Sequence, residues 1–276
     1  MARTGRVGCV VSYCDLERHF LRHTVRESAK FAHHVVVVSC DALFDGTPQD
    51  SDELQSIKSE FSHADDVTFV TVHIDPVDEL IDAPELTRRT AYWHNRMRWE
   101  GVRVLRPECD YVMFLDADEV PEGDRVATWL RTLPAPTPES PAIKCANYWY
   151  LREPTLRSRH MEDSVALVPR HRVRDRDAVM LCNQERNDLA HEPVLRSVTD
   201  GRSAPMFHHF SWVRTPEDLV RKVRLWGHKD DRDWETAVRA ELRRPIVPGH
   251  HDLIFGRGYD IVPSPFGIPP MAAADG

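Results

Sequence analysis

Four short apolar runs, at residues 7–13, 35–40, 67–74 and 111–115, are separated by segments long enough to hold a helix. Parallel strands need connections of a dozen or more residues, usually helical. Because they are buried on both faces, they read as continuous apolar runs rather than as alternation. Residues 35–40, Val-Val-Val-Val-Ser-Cys, have that character. After the first run, Leu16, Phe20, Leu21, Val25 and Ala29 recur along one helical face. A polar helix is expected near 51–61 and a longer one over 87–106. The order β-α-β-α-β-α-β predicts an α/β sheet with right-handed crossovers, whose ligands bind beyond the carboxyl ends of the strands.

The fourth run ends in the densest chemistry of the chain, Tyr111-Val112-Met113-Phe114-Leu115-Asp116-Ala117-Asp118-Glu119-Val120-Pro121. In an extended segment side chains two apart point the same way, so Asp116 and Asp118 are expected to face one site. Paired carboxylates suit a hard cation, Mg²⁺ or Mn²⁺, completed by substrate phosphates. A carboxylate at a strand end also serves as a turn or helix cap. The three preceding strand–helix units favour the metal reading.

Composition removes other classes. The 276 residues are 41% hydrophobic, enough for a packed core, and the formal net charge of −8 offers no global basic field for nucleic acid or anionic membrane. Arginines cluster locally at 152–159, 170–176 and 239–244, where they can meet phosphate or polar sugar groups. The six cysteines contain no C-x-x-C pair, which argues against a zinc ribbon and for a reducing compartment. No apolar run approaches the ~18–20 residues of a membrane span, and the N-terminus makes a poor signal peptide, so a cytoplasmic protein is expected. The first strand–helix turn, Ser12-Tyr13-Cys14-Asp15-Leu16, lacks G-x-G-x-x-G, and no G-x-x-x-x-G-K-[ST] occurs. A dinucleotide oxidoreductase and a P-loop nucleotidase are therefore disfavoured. A metal is left as the expected partner of the phosphates.

The proline-rich stretch 133–141 separates a first half, residues 1–132, from a second, 143–262, with 263–276 expected as a loose tail. Strands are expected at 143–151 and 164–168. Thr215-Pro216-Glu217-Asp218 reads as a helix start, followed by a stripe of Leu219, Val220, Val223 and Trp226. Tyr148-Trp149-Tyr150 is either core or a sugar-stacking wall. A second dense block, Met206-Phe207-His208-His209-Phe210-Ser211-Trp212-Val213-Arg214, holds adjacent histidines that are either packed or a third ligand for Mn²⁺. Further on, Lys222 and the run Trp226-Gly227-His228-Lys229 offer cations for a leaving diphosphate.

With Phe-Leu-Asp-Ala-Asp-Glu-Val-Pro followed downstream by His-His-Phe-Ser-Trp-Val-Arg and Lys-x-x-x-Trp-Gly-His, residues 5–235 resemble the GT-A glycosyltransferases, closest to family-2-like enzymes. The resemblance implies a Rossmann-like nucleotide-diphospho-sugar transferase fold, a mostly parallel central sheet flanked by helices. Residues 1–132 would form the nucleotide-sugar (donor) half and 143–262 the acceptor half. It also implies Mn²⁺ or Mg²⁺ bound by Asp118, with Asp116 on the ribose or on the metal through water, and His208 or His209 as third ligand. Asp41 would hold the base, Asn95 and Arg96 would border base and phosphates, and Lys222 and His228 would approach the diphosphate. Donors of the UDP-sugar type and a hydroxyl acceptor follow. Of the pair Glu162-Asp163, Asp163 would be the base of an inverting transfer, with Glu185 as the alternative. Two other classes compete: a nucleotidyltransferase, which would release pyrophosphate, and a non-catalytic nucleotide- or glycan-binding module.

Overall fold

The computed structural model describes residues 4–43, 46–49, 52–73, 86–173, 194–225 and 232–271. Strands β1 (Val7–Tyr13), β2 (His34–Cys40), β3 (Val67–Val72) and β4 (Tyr111–Asp116) alternate with helices α1 (Arg18–Ala29), α2 (Asp52–Glu60) and α3 (Leu86–Val104). They form a parallel array in the order β3-β2-β1-β4. The chain winds outward from β1 to β3 and then returns to place β4 on the other side of β1. The strand order therefore reverses between β1 and β4, and the carboxyl ends of those two strands bound the crevice where α/β sheets bind ligands. β1 and β2 are buried along their whole length, as their continuous apolar character requires.

The same sheet continues into the second half. After β5 (Glu119–Pro121) and α4 (Gly123–Leu130), a long hairpin of β6 (Ala142–Leu151) and β7 (Leu156–Pro169) pairs antiparallel, and β7 also pairs antiparallel with β4. β8 (Val194–Val198) and β9 (Phe207–Trp212) run parallel to β6, β5 closes antiparallel on β9, and β10 (Tyr259–Ile261) adds to β7. The two halves are thus joined in one mixed sheet flanked by helices, the α/β class expected. Helices α5 (Pro216–Leu225) and α6 (Trp234–Leu242) pack beyond β9. Among the described residues no helix is long and apolar enough to cross a membrane.

Helix α1 lays Phe20, Leu21, Thr24, Val25 and Ser28 against the core. Burial of the three apolar members contributes about 1.5–3 kcal/mol each. Helix α3 comes closer to the sheet than any β-carbon at position 101 permits. A methyl group there would stand 2.5 Å from Val10 Cγ1 and 2.9 Å from Val38 Cγ2. Gly101→Ala is accordingly expected to lower stability by about 1–3 kcal/mol in urea unfolding, despite alanine's better helix propensity. A neutral or stabilising result would mean that the helix does not make this approach.

Two expectations change. The strand anticipated at 164–168 begins eight residues earlier, so Glu162 and Asp163 lie inside β7 rather than before a strand. Its first half is polar and half-exposed, which hid it from an apolar search. The tail anticipated from 263 is packed as far as Met271. Ile268 and Met271 join Phe20, Val120, Tyr150 and Phe210 in one cluster, and the Met271 N–H donates to Glu153 Oε2 at 2.9 Å.

Candidate active site

The crevice is built from three chain turns. At the end of β4 the backbone reverses through Ala117 and Asp118 into β5, so the two aspartates are not successive same-side residues of one strand. The Asp116 N–H donates to Glu119 Oε2 at 2.9 Å, which stabilises the turn, and Ala117 N–H donates to Ser12 O at 2.8 Å, which fastens it to β1. At the end of β1, Cys14 begins a single 3-10 turn, and Glu17 Oε2 accepts from the Cys14 N–H. The third turn follows β9: Val213 N–H donates to Phe210 O, and this bend carries Arg214 inward. Helix α5 is pinned over the crevice by two ion pairs, Arg18–Asp218 at 2.6 Å and Arg221–Asp15 at 3.2 Å. It thereby delivers Lys222.

Charged groups of both signs meet there. Arg98, on the face of α3 that Gly101 brings close, is buried and paired with Asp116. Arg214 donates to Asp118 Oδ2 at 2.9 Å, with both side chains no more than 3% exposed, and lies 3.7 Å from Glu17 Oε1. The same guanidinium donates to the carbonyls of Phe210 and Ser211. Lys222 Nζ donates to Ser211 Oγ at 2.9 Å and stands 6.0 Å from the Trp212 ring. Burial, and next the negative charge of Asp118, holds the Glu17 carboxyl well above the usual carboxylate range. Several buried polar atoms around the end of β1 have no hydrogen-bond partner among the described residues: Ser12 Oγ, Tyr13 OH, Asp15 Oδ1, His209 Nδ1 and Arg214 Nε. Such groups cost stability unless a ligand or solvent satisfies them.

The Lys222 ammonium is pushed down to about 8, first by burial and then by Arg214. The unfolded chain keeps that proton up to its ordinary value of 10.5. Between those values the unfolded state binds more protons, so folding is favoured as pH rises. Lys222→Met lacks this gain. The stability of Lys222→Met relative to the wild-type chain is expected to fall from about pH 8 to about pH 10.5 in urea unfolding, and a difference that stays flat would contradict the buried placement of the ammonium.

The adjacent histidines separate by strand alternation. His209 lies in register with Glu119 and Trp149, and its Nε2 is 3.5 Å from Asp118 Oδ1. His208 points to the other face, where Tyr150 OH meets its Nδ1 at 2.8 Å and Glu122 Oε1 its Nε2 at 3.0 Å. Burial pushes its imidazole down, which agrees with a neutral ring that accepts from Tyr150 and donates to Glu122. His208 is thus placed away from Asp118. Among the described residues no group of three or more His, Cys, Asp or Glu side chains is arranged to hold a metal ion. As arranged, Asp116, Asp118 and His209 fit a divalent ion poorly, because a guanidinium already pairs with one oxygen of each carboxylate, Arg98 with Asp116 Oδ1 and Arg214 with Asp118 Oδ2, and brings like charge to the site.

Other expected residues are dispersed along the same edge of the sheet. Asp41, at the end of β2, is paired with His73 at the end of β3. Asn95 and Arg96 are on α3, and Arg96 lies 3.9 Å from Glu100. It is Arg98, not singled out from the sequence, that reaches Asp116. Glu162 and Asp163 project to opposite sides of β7. Glu162 is in register with Asn147 and Phe207, on the face that carries His209, and pairs with Arg257 at 2.9 Å. The Arg257 guanidinium in turn covers Trp149 at 4.3 Å. Asp163 accepts from Ser197 Oγ at 2.9 Å. Both acids border a cavity of about 410 Å³ with Lys144, His160 and Arg196. Trp149 and Tyr150 are buried, and Arg157 covers the Tyr148 ring, so this stretch is mainly core. His228 and Glu185 lie outside the described residues.

No protein-family model matches the chain, and no curated protein matches it. Solved structures do resemble it in chain path. A mannosyltransferase from Pyrobaculum calidifontis in complex with GDP-Man and Mn²⁺ is 13% identical over 89% of this chain and 66% of its own, with a TM-score of 0.46. A glucosyl-3-phosphoglycerate synthase from Mycobacterium tuberculosis with Mn²⁺, UDP and phosphoglyceric acid is 12% identical over 97% and 90%, with a TM-score of 0.41. The galactosyltransferase LgtC with donor and acceptor sugar analogs is 11% identical over 87% and 97%, with a TM-score of 0.38. At these values the likeness is one of general chain path, and any functional reading must come from the side chains.

Proposed function

We propose that the chain is a glycosyltransferase of the GT-A type that moves a sugar from a nucleotide diphosphate sugar, a UDP-sugar by preference, to an acceptor hydroxyl. The observation that carries this reading is the pairing of Asp116 and Asp118 with buried cations at the β1/β4 switch point, beside unpartnered polar atoms at the end of β1. A diphosphate leaving group gathers negative charge as its bond breaks, and preorganised cations in a water-poor crevice stabilise that charge more than the ground state. Arg98, Arg214 and Lys222 are in that role. Asp41 would meet the base and Asp116 the ribose.

In the transfer the acceptor oxygen forms a bond to the anomeric carbon as the carbon–oxygen bond to the diphosphate breaks, and that electron pair leaves with the diphosphate. The hydroxyl proton passes to a carboxylate. Glu162, on the face that carries His209, suits that task better than Asp163, and a single displacement from that side inverts the anomeric centre. The experiment is product analysis after incubation with a set of UDP- and GDP-sugars. Release of a free nucleoside diphosphate, lost in Asp116→Asn, is the expected result. Pyrophosphate would favour a nucleotidyltransferase, and binding without any turnover would favour a non-catalytic module.

A further inference from the structure

Divalent metal was the expected means of holding the diphosphate, and the arrangement of side chains disagrees with it. We propose that Arg214, together with Lys222, supplies the positive charge that holds the nucleoside diphosphate, so that the site binds its nucleotide without a metal ion. The inference rests on the glycosyltransferase reading above and adds to it the chemistry of phosphate recognition.

Three observations carry it. First, the Arg214 guanidinium is not a surface group that a cation would displace. It is 2% exposed and anchored to the Phe210 and Ser211 carbonyls as well as to Asp118 Oδ2. Anchoring on three sides fixes the planar group in one orientation, so that the N–H donors not used in the anchoring keep a set direction. Second, a divalent ion shared by Asp118 Oδ1 and His209 would sit beside that guanidinium, with like charges facing one another where little water screens them. Third, donors remain to be used. Arg214 Nε is buried without a partner among the described residues, and Lys222 Nζ, which has three N–H groups, gives one to Ser211 Oγ. Ser211 lies near the end of β9, Arg214 just beyond it, and Lys222 comes from α5, so the two cations reach the crevice from adjoining elements.

The test is titration calorimetry of UDP and GDP into the full chain, once with EDTA and once with Mn²⁺, for the wild-type chain, Lys222→Gln, Arg214→Lys and Arg214→Met. Arg214→Met removes a buried charge and is open to misfolding; Lys222→Gln alters a half-buried group and keeps the test decisive. One nucleotide is expected to bind in EDTA with an affinity within about threefold of that in Mn²⁺. Lys222→Gln should weaken binding by about tenfold or more in EDTA without recovery on adding Mn²⁺, and Arg214→Lys should retain more affinity than Arg214→Met. Nucleotide binding that requires Mn²⁺ would overturn the inference while leaving the glycosyltransferase reading intact. Absence of nucleotide binding under both conditions would overturn both.

Discussion

Asp118→Ala is expected to destabilise the fold by about 3–5 kcal/mol, the cost of leaving a buried charge without its partner. Arg214 is 1% exposed at its side chain and Asp118 3%. Removing the carboxylate leaves the guanidinium with two carbonyls and with Glu17 Oε1 only at 3.7 Å. The pair also joins segments far apart in the chain, since Asp118 lies in the turn between β4 and β5 and Arg214 follows β9. Adding Arg214→Met to Asp118→Ala is expected to recover a large part of the loss, because an apolar side chain replaces an unpaired charge. Urea unfolding of the two single variants and the double variant measures this directly. If Asp118→Ala costs less than about 1 kcal/mol, as a solvent-exposed pair would, the buried pair described here is not formed in solution.

A second large effect is expected far from the crevice. Glu241, at the end of α6, is fully buried, and its carboxylate accepts from His250 Nε2 at 2.7 Å, Leu253 N–H at 2.9 Å, Arg244 at 3.2 Å and Arg152 at 3.3 Å. Arg152 also donates to the carbonyls of Glu241, Leu242 and Arg244, satisfying the C-terminal carbonyls of the helix where a cation is favoured by the helix dipole. Glu241→Ala is expected to cost about 3–5 kcal/mol by leaving His250 Nε2 and the Leu253 N–H without their acceptor and the Arg152 guanidinium without its carboxylate. The damage should be local. Hydrogen exchange should accelerate over residues 234–261 and remain slow in β1, β2 and β4, with nucleotide binding preserved. Equal acceleration throughout would show that the two regions unfold as one unit.

Much of the first half was legible because its physics is local. The continuous apolar runs marked β1, β2 and β4, and the spacing of Phe20, Leu21 and Val25 marked α1. The site was legible in part. Asp116 and Asp118 announced themselves by ending a strand, and the histidine block drew attention to β9. Which histidine faces Asp118 follows from alternation once the register of β9 with β6 is known, and register depends on distant pairing. Arg98, Glu17 and Arg214 were not separable from other charged residues, because each becomes special only when a helix or turn carries it against a residue of another element, eighteen positions away for Arg98 and Asp116 and ninety-six for Arg214 and Asp118. The polar first half of β7 was missed for a related reason. Half of it faces solvent, so its strand character comes from pairing with β6 and β10 and leaves no apolar signature. Gly101 is similar: its reason is Val10, ninety-one positions earlier, across a packed layer.

A crystal structure of the chain with UDP or GDP bound would show where the nucleotide sits. The diphosphate is expected at the carboxyl ends of β1 and β4, with its oxygens in contact with Arg214 and Lys222 and its ribose beside Asp116. Nucleotide in the cavity lined by Lys144, Arg196 and Asp163 instead, with the β1/β4 crevice empty, would contradict that placement.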